Sequence, residues 1–479
     1  MNDKLRKLAA TKIKPMPHQE RVALRFSEQT KPGGGLIVDH DVGTGKTMTS
    51  ILAAQRTGKP LVAVVPAALR ENYRKELAAS GYDGDATVIS YHEAMRMAKD
   101  PEFRDKVSDS VVVYDEAHRM GSPGSKMSQL PSQLKSHKNL LLTGTTMRND
   151  PSELAPLLRA TGKDINAKNF RKEFTAAEYK ERHLLARMLG TKPRRIGTKA
   201  VKEREFRALV DDVIDSHQKT QEHMPSVTSE HVNVTMSGAQ TRAYDAITAG
   251  SPDLAYKLRN GIPPNRKDFA KYRAFLTGLR QVSNTPAEFS ADDKIKPQDA
   301  AKIMAAADHV MDHAEKLPNY RGYSYSNYVG SGVAPLQEEL NRRGITTAVF
   351  DGKLNDAERK QIVNDYNTGK VQHLLLTSAA AEGLDLKGTR LVQMLDPHWN
   401  HAKMHQVKAR GIRHKSHAHL PEEDRNVHVQ HFFSERPQHP LHKMLGMKPQ
   451  RSADRHIHDL ASDKAKLTDQ FTNIIRKTD

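Results

Sequence analysis

Short uninterrupted apolar runs alternate along this chain with longer stretches in which apolar residues recur every three or four positions. Leu36–His40 (LIVDH), Leu61–Pro66 (LVAVVP), Val111–Asp115 (VVVYD) and Asn139–Thr143 (NLLLT) are the runs of a first region. Tyr323–Tyr328, Thr347–Phe350, His373–Ser378, Arg390–Leu395 and His428–Phe433 are those of a second. Runs of this length predict buried strands, and the helical stretches between them predict crossover connections. Each region therefore reads as a parallel α/β sheet.

From about Thr161 to Thr285 the pattern turns helical and charged. Lys163 to Arg207 hold 14 Lys/Arg against 6 Asp/Glu, a surplus of 8. Such a run is a set of solvated helix faces or a basic surface over a polyanion, and composition leaves both open. After about Met447 a charged tail rich in Lys, Asp and His is expected to end in a helix. The expected organisation is a first sheet domain over residues 1–160, a helical basic insertion and linker over 161–285, a second sheet domain over 286–445 and the tail over 446–479.

With 479 residues, 37% of them hydrophobic and 28% charged, the chain exceeds one ordinary core and has apolar content enough to exclude wholesale disorder. It has no cysteine, which excludes disulfides, cysteine zinc sites, iron–sulfur clusters and thiol nucleophiles. Lys+Arg 75 against Asp+Glu 57 give a net charge of +18, which favours a polyanionic partner such as nucleic acid. No stretch approaches the roughly 18 consecutive apolar residues that cross a bilayer, and MNDKLRKLAATKIK lacks the apolar core of a signal peptide. A soluble, intracellular protein with no membrane partner is expected.

The candidate chemistry starts where GLIVDH runs into DVGTGKT and then TSILAAQR, whose Met48, Ile51 and Leu52 have helical spacing. Strand, glycine loop and helix follow in order. Gly43 and Gly45 let backbone N–H groups, Thr44 among them, approach phosphate oxygens without a Cβ in the way, and the helix N-terminus adds positive dipole. Lys46 would meet the β and γ phosphates of ATP, and Thr47 would ligate Mg²⁺. His40 stands where the strict eight-residue pattern has glycine. VVVYDEAH supplies the second half: Asp115 faces a metal shell and Glu116 an attacking water, as general base. Each half alone has a plainer account, a glycine turn or a helix cap. Together, in this order, they predict a nucleoside triphosphatase.

Val42–Thr47 followed by Asp115–His118 resembles helicase superfamily two, and further motifs stand in the family's order. Met16–Gln19 (MPHQ) looks like the adenine-reading segment, with Gln19 as the base contact. VVPAALRENYRKEL looks like the segment that approaches the nucleic-acid backbone. LTGTTMRNDPSELAPLL resembles the motif that couples hydrolysis to domain motion through Thr143 and Thr145, with Thr146 where proline is usual. YSNYVGSGVAPLQEELNRRG, VFDGKLNDAERKQIVNDYN and LLLTSAAAEGLDLKGTRLVQMLDPHWN look like successive motifs of the second motor domain, with Gly383 and Asp385 as candidate ATP contacts. In QVKARGIRHKSH, Gln406, Arg410 and Arg413 match the family's spacing, with Ala409 replacing glycine; the resemblance makes Arg410 and Arg413 arginine fingers. Read without the family, ARGIRHK is a basic helix face. The fold implied is α/β: two RecA-like parallel-sheet lobes with a helical, basic insertion between them.

Within that superfamily the linking segments PSVTSEHVNVTMSGAQTRAYDAI and LTGLRQVSNTP, and DPHWN, look like the Swi/Snf-type branch. The ending IRHKSHAHLPEEDRNVHVQHFF is similar to helicases of large DNA viruses and phages. The resemblance covers most of Pro15 to Ser434 and implies an ATP-dependent translocase or helicase, mainly on double-stranded DNA, with viral or phage transcription or replication proteins as partners. An RNA remodelling helicase and a nucleic-acid-binding scaffold with an idle ATP site are the alternatives. Aromatic residues are only 5%, which gives little support to a base-stacking platform, and Trp399 is expected to pack. Twelve of the 24 histidines lie between His398 and His458. His401 and His405 have zinc-protease spacing without the glutamate base, so the cluster is read as polar surface and strand-edge residues rather than a metal site.

Overall fold

The computed structural model describes residues 15–29, 33–41, 43–179, 195–218, 224–262, 268–289, 295–377, 384–413, 415–438, 440–446 and 450–476. They group into two compact units, Met1–Thr220 with Asp463–Asp479, and Gln221–Ser462. Among the described residues no helix is long and apolar enough to cross a membrane.

In the first unit, β1 (Gly35–His40), β2 (Leu61–Val65), β3 (Ala86–Ser90), β4 (Val111–Tyr114), β5 (Lys138–Thr143) and, after a separate antiparallel pair of β6 (Thr175–Tyr179) and β7 (Arg195–Ala200), β8 (Ile214–His217) appear in turn. Six of these form a parallel sheet in the order β3-β2-β4-β5-β1-β8. The strand period of two divides its core. Leu36, Val38, Val111, Val113, Leu140 and Leu142 face one cluster with Val22, Phe26, Ile51 and Tyr73. Ile37, Val112, Tyr114 and Leu141 face another with Leu157, Phe170, Phe206 and Phe471. Both faces are covered by helices, so these strands read as continuous apolar runs. Each buried leucine or phenylalanine contributes about 1.5–3 kcal/mol.

The second unit repeats the plan. β9 (Ser226–Thr235), β10 (Gly322–Tyr325), β11 (Thr347–Phe350), β12 (His373–Leu376), β13 (Leu391–Met394) and β14 (Asn426–Glu435) form a parallel sheet in the order β11-β12-β10-β13-β14-β9. Tyr323, Tyr325, Leu374 and Met394 pack on one face and Leu375, Leu391 and Phe432 on the other. A satellite cluster gathers Tyr244, Tyr272, Phe275, Leu276 and Ile457, and Trp399 packs against it as expected.

The segment 161–285 differs from its expectation. It is not wholly helical: β6, β7, β8 and β9 lie in it. Nor does it stand apart, because β8 joins the first sheet and β9 the second. β8 has a single apolar residue, Ile214, and its Asp215 is buried by pairing with Arg21, Arg25 and His40. β9 is an edge strand exposed along most of its length, so its sequence carries little apolar signal. Arg182, Arg187 and Arg194 of the basic stretch lie outside the described residues. The tail is helical over Ala453–Arg476; residues up to Ser462 belong to the second unit and those from Asp463 to the first.

Candidate active site

The glycine loop leaves β1 at its carboxyl end and enters the helix Lys46–Thr57. Gly43 and Gly45 adopt φ of 83° and 76°, a conformation costly for residues with a Cβ, so the glycines are required by the turn itself. No side chain caps the helix N-terminus at Gly45, which leaves its first N–H groups available to an anion. Lys46 Nζ donates to the carbonyls of His40 at 2.8 Å and Asp41 at 3.0 Å. Thr44 Oγ1 donates to Asp41 O at 2.9 Å. Burial lowers the Lys46 pKa, opposed by the nearby Glu116 and Asp115 carboxylates.

Those carboxylates end β4. Asp115 Oδ1 accepts the N–H of Glu116 at 3.0 Å, and Tyr91 OH donates to the Asp115 carbonyl at 2.8 Å. Burial, and then the adjacent Glu116, push the Asp115 carboxyl up to about 6, with Lys46 pulling the other way. Glu116 has φ of 52°, a left-handed conformation unusual for a non-glycine residue and found where a site dictates side-chain direction. Lys46, Asp115 and Glu116 are thus one electrostatic group at one sheet edge.

Gln19 is buried and spends its carboxamide on protein: Oε1 accepts from Met16 N at 2.9 Å, and Nε2 donates to Gly45 O at 3.3 Å and Thr44 O at 3.4 Å. His18 Nε2 also meets Thr44 O, at 2.9 Å. A Cβ on Gly45 would stand 2.5 Å from Gln19 Nε2, so the Gln19 side chain and the loop fit only with glycine there. Gln19, proposed to contact the base, also braces the phosphate loop. His40, which replaces the pattern's glycine, is fully buried; its Nε2 lies 2.8 Å from Asp215 Oδ1, and its ring packs edge-on to His18 and His217. Burial alone would raise the Asp215 carboxyl, but hydrogen bonds from His40 and Arg21 hold it well below the usual carboxylate range.

Thr143 and Thr145 close on each other: Thr143 Oγ1 accepts Thr145 N at 3.0 Å and donates to Thr145 O at 2.9 Å. His118 Nδ1 lies 3.2 Å from Thr143 Oγ1 and 3.2 Å from Glu116 Oε2. Burial lowers this imidazole to about 3, so its 3.2 Å approach to Glu116 is not an ion pair. The sequence reading gave His118 no role.

In the second unit, Gln406 lies on the helix His401–Lys408, and Arg410 and Arg413 follow it. Arg413 Nη1 stands 3.4 Å from Asp385 Oδ1, which joins two of the expected motifs. Gly383 lies outside the described residues. Of the nearby histidines, His417 and His456 are buried, His405 and His419 are exposed, and His398, His428, His431 and His458 are half-buried. His417 bonds Thr389 O at 2.7 Å and Ser416 Oγ at 2.8 Å; His456 meets Tyr272 OH at 2.9 Å. His231, His398, His431 and His458 line one cavity of ≈ 550 Å³.

The donor set fits a magnesium triphosphate. Gly43, Thr44 and Gly45 shape a loop ahead of an uncapped helix, Lys46 supplies the cation, and Thr47 and Asp115 are hard oxygen donors of the class Mg²⁺ takes.

Residues 82–288 match the SNF2-related domain and residues 305–415 the helicase conserved C-terminal domain. The first match begins beyond the phosphate loop. A protein of Acanthamoeba polyphaga mimivirus named as an ATP-dependent RNA helicase is 25% identical over 451 residues, 94% of each chain. The termination factor NPH-I homolog of African swine fever virus is 34% identical over 136 residues, 27% of this chain and 19% of that one. The ISWI chromatin-remodeling complex ATPase of Saccharomyces cerevisiae is 25% identical over 331 residues, 67% of this chain and 27% of that one. The chain thus spans nearly all of the first relative and under a third of the other two. With paired domains of these two kinds on two RecA-like sheets, the chain is similar to the Swi/Snf-type helicase-like ATPases, enzymes whose ATP hydrolysis depends on nucleic acid.

Proposed function

We propose that this ATPase uses Mg–ATP hydrolysis to move along nucleic acid, mainly duplex DNA, in viral or phage DNA transactions. The observation that supports the hydrolytic part is the convergence of Lys46, Asp115 and Glu116 at one sheet edge, each charge felt by the others. When bound, Mg²⁺ supplies Lewis acidity at the phosphates, and Thr47 and Asp115 are the residues to hold it. Lys46 and the N–H groups of Gly43, Thr44 and Gly45 bind the triphosphate, while Gln19 and His18 keep the loop in shape. Glu116 takes the proton of the attacking water. Thr143 and Thr145 couple this site to motion. From the second unit, the resemblance assigns ATP contacts to Gly383 and Asp385 and coupling to Gln406, with Arg410 and Arg413 stabilising charge on the transferred phosphoryl group.

Duplex DNA is supported by the Swi/Snf-type branch, by the names of the termination-factor and chromatin-remodeling relatives, and by the net charge of +18. A motor advances without reading bases, so affinity is assigned to Lys and Arg on phosphates and falls steeply with salt. Viral or phage transcription or replication proteins are the partners in this reading. The mimivirus relative's name favours RNA as the second reading. ATP hydrolysis measured with no nucleic acid, duplex DNA, single-stranded DNA and RNA, beside a strand-displacement assay, decides between them. Strongest stimulation by duplex DNA supports the proposal; strongest stimulation by RNA overturns its substrate, and stimulation by none overturns the motor.

A further inference from the structure

The helix Ala453–Arg476 ends on a contact that no motif accounts for. Its later residues Leu467, Phe471, Ile474 and Ile475 are buried in the first unit's core, with the Phe471 ring 4.9 Å from that of Phe206. This packing delivers Arg476 to the carboxyl end of β1. There Arg476 Nε donates to Asp39 Oδ2 at 2.9 Å, and Nη2 lies 3.4 Å from both Asp39 Oδ1 and Asp41 Oδ1. Asp39 is almost fully buried, and an unpaired carboxylate in such a place is costly.

The two aspartates flank His40, and the backbone between them is what holds the loop lysine. Lys46 Nζ donates to His40 O and Asp41 O, and Thr44 Oγ1 to Asp41 O. Asp41 N in turn donates to His217 O at 3.1 Å. One guanidinium therefore bridges both carboxylates at the mouth of the phosphate loop, offsets one of their two charges and fixes the segment from which Lys46 is hung. A planar five-donor fork suits two acceptors at once, which a point charge does less well.

We infer that Arg476 is a positioning residue for triphosphate binding: by holding Asp39 and Asp41 it sets the entry of the phosphate loop and offsets negative charge that would repel the ligand. The inference rests on the reading of Lys46 and its loop as the triphosphate site. Arg476 acts through the two aspartates and touches no reacting atom.

The full chain is tested by calorimetric titration with Mg–AMP-PNP and by steady-state ATP hydrolysis, with folding checked by circular dichroism. Arg476→Gln, which keeps hydrogen bonding and loses charge, weakens AMP-PNP binding about tenfold and raises KM far more than it lowers kcat. Arg476→Lys, which keeps the charge and loses the fork, recovers part of the loss, and so does Asp41→Asn added to Arg476→Gln. A folded Arg476→Gln with wild-type Kd and KM, or an Arg476→Lys as impaired as Arg476→Gln, overturns the inference. Should Arg476→Gln fail to fold, Arg476→Lys decides, because it keeps the charge and loses the fork: weaker AMP-PNP binding with a raised KM supports the inference, and wild-type Kd and KM overturn it. Lys46→Ala separates the two levels. If it binds AMP-PNP as wild type does, the triphosphate assignment itself fails; if it loses binding while the Arg476 variants do not, only the role of Arg476 fails.

Discussion

The imidazole Nδ1 of His118 stands 3.2 Å from the hydroxyl oxygen of Thr143. Because Thr143 donates its own proton to the Thr145 carbonyl, its oxygen is left to accept, and a neutral His118 with its proton on Nδ1 matches it. The same nitrogen reaches Glu116, so the carboxylate assigned to water activation and the threonine pair assigned to coupling share one ring. His118→Ala is expected to lower kcat about tenfold, the scale of one or two lost hydrogen bonds, and to lower the ratio of nucleic-acid-stimulated to unstimulated turnover. Since burial keeps the imidazole near 3, wild type and His118→Gln should have parallel pH–rate profiles from pH 5 to 9. An inflection near the ordinary histidine range that only wild type shows would contradict this.

Asp115 gives a stability prediction with a definite sign. Its folded-state pKa of about 6 lies above the roughly 3.9 of an unfolded aspartate, so the folded chain binds the proton more tightly. That contribution is fully present below about pH 4 and is lost as pH rises through about 6. In the metal-free protein Asp115→Asn should therefore stabilise the first unit by about 3 kcal/mol at pH 8 and by almost nothing near pH 4. Urea unfolding across that range reads the difference; one that does not vary with pH removes the cause given. Added Mg–ATP should reverse the order at pH 8, because the charged carboxylate proposed to hold the ion binds it more tightly than a neutral amide does.

The parts of this architecture that could be read from the chain are those where one residue type answers to one physical need. β1, β2, β4 and β5 are covered on both faces, so LIV in β1 and VVVY in β4 are apolar throughout. Gly43 and Gly45 are demanded by positive φ, and Asp115 and Glu116 by their place at a strand end. What escaped detection is held by pairing rather than by apolar burial. β8 reads IDSH because Asp215 is buried on Arg21, Arg25 and His40, and β9 alternates weakly because one edge meets solvent. Gln19 shows how far a motif goes: it fixed the residue and its neighbourhood, while the carboxamide is turned onto the loop backbone. Arg476 lies 437 positions from Asp39, and no local pattern announces a contact of that separation.

Lys46 and Glu116 separate binding from chemistry. Lys46→Ala removes the cation that meets the phosphates and should weaken Mg–ATP binding and turnover together. Glu116→Gln keeps the side chain's size and should retain ATP affinity within about threefold while kcat falls at least about a hundredfold. Equilibrium binding beside single-turnover hydrolysis distinguishes the two patterns. Wild-type turnover in Glu116→Gln would remove it from the role of base.

In the second unit, Lys302 and Asp454 form an ion pair at 2.6 Å with both side chains wholly buried. Lys302 Nζ also donates to Leu395 O at 3.1 Å, and Asp454 Oδ2 accepts Ser434 N at 3.0 Å, so the pair ties the helix Ala301–Lys316 to the ends of β13 and β14 and to the start of the C-terminal helix. Removing one partner leaves the other charged in a medium that solvates it poorly. Lys302→Met should therefore cost about 3–5 kcal/mol, although methionine fills nearly the same space. Asp454→Asn in that background removes the stranded charge and still accepts from Ser434 N, so the double variant should be more stable than Lys302→Met alone. Urea unfolding of the four members of the cycle measures the coupling, and additive losses would show that Lys302 and Asp454 act independently.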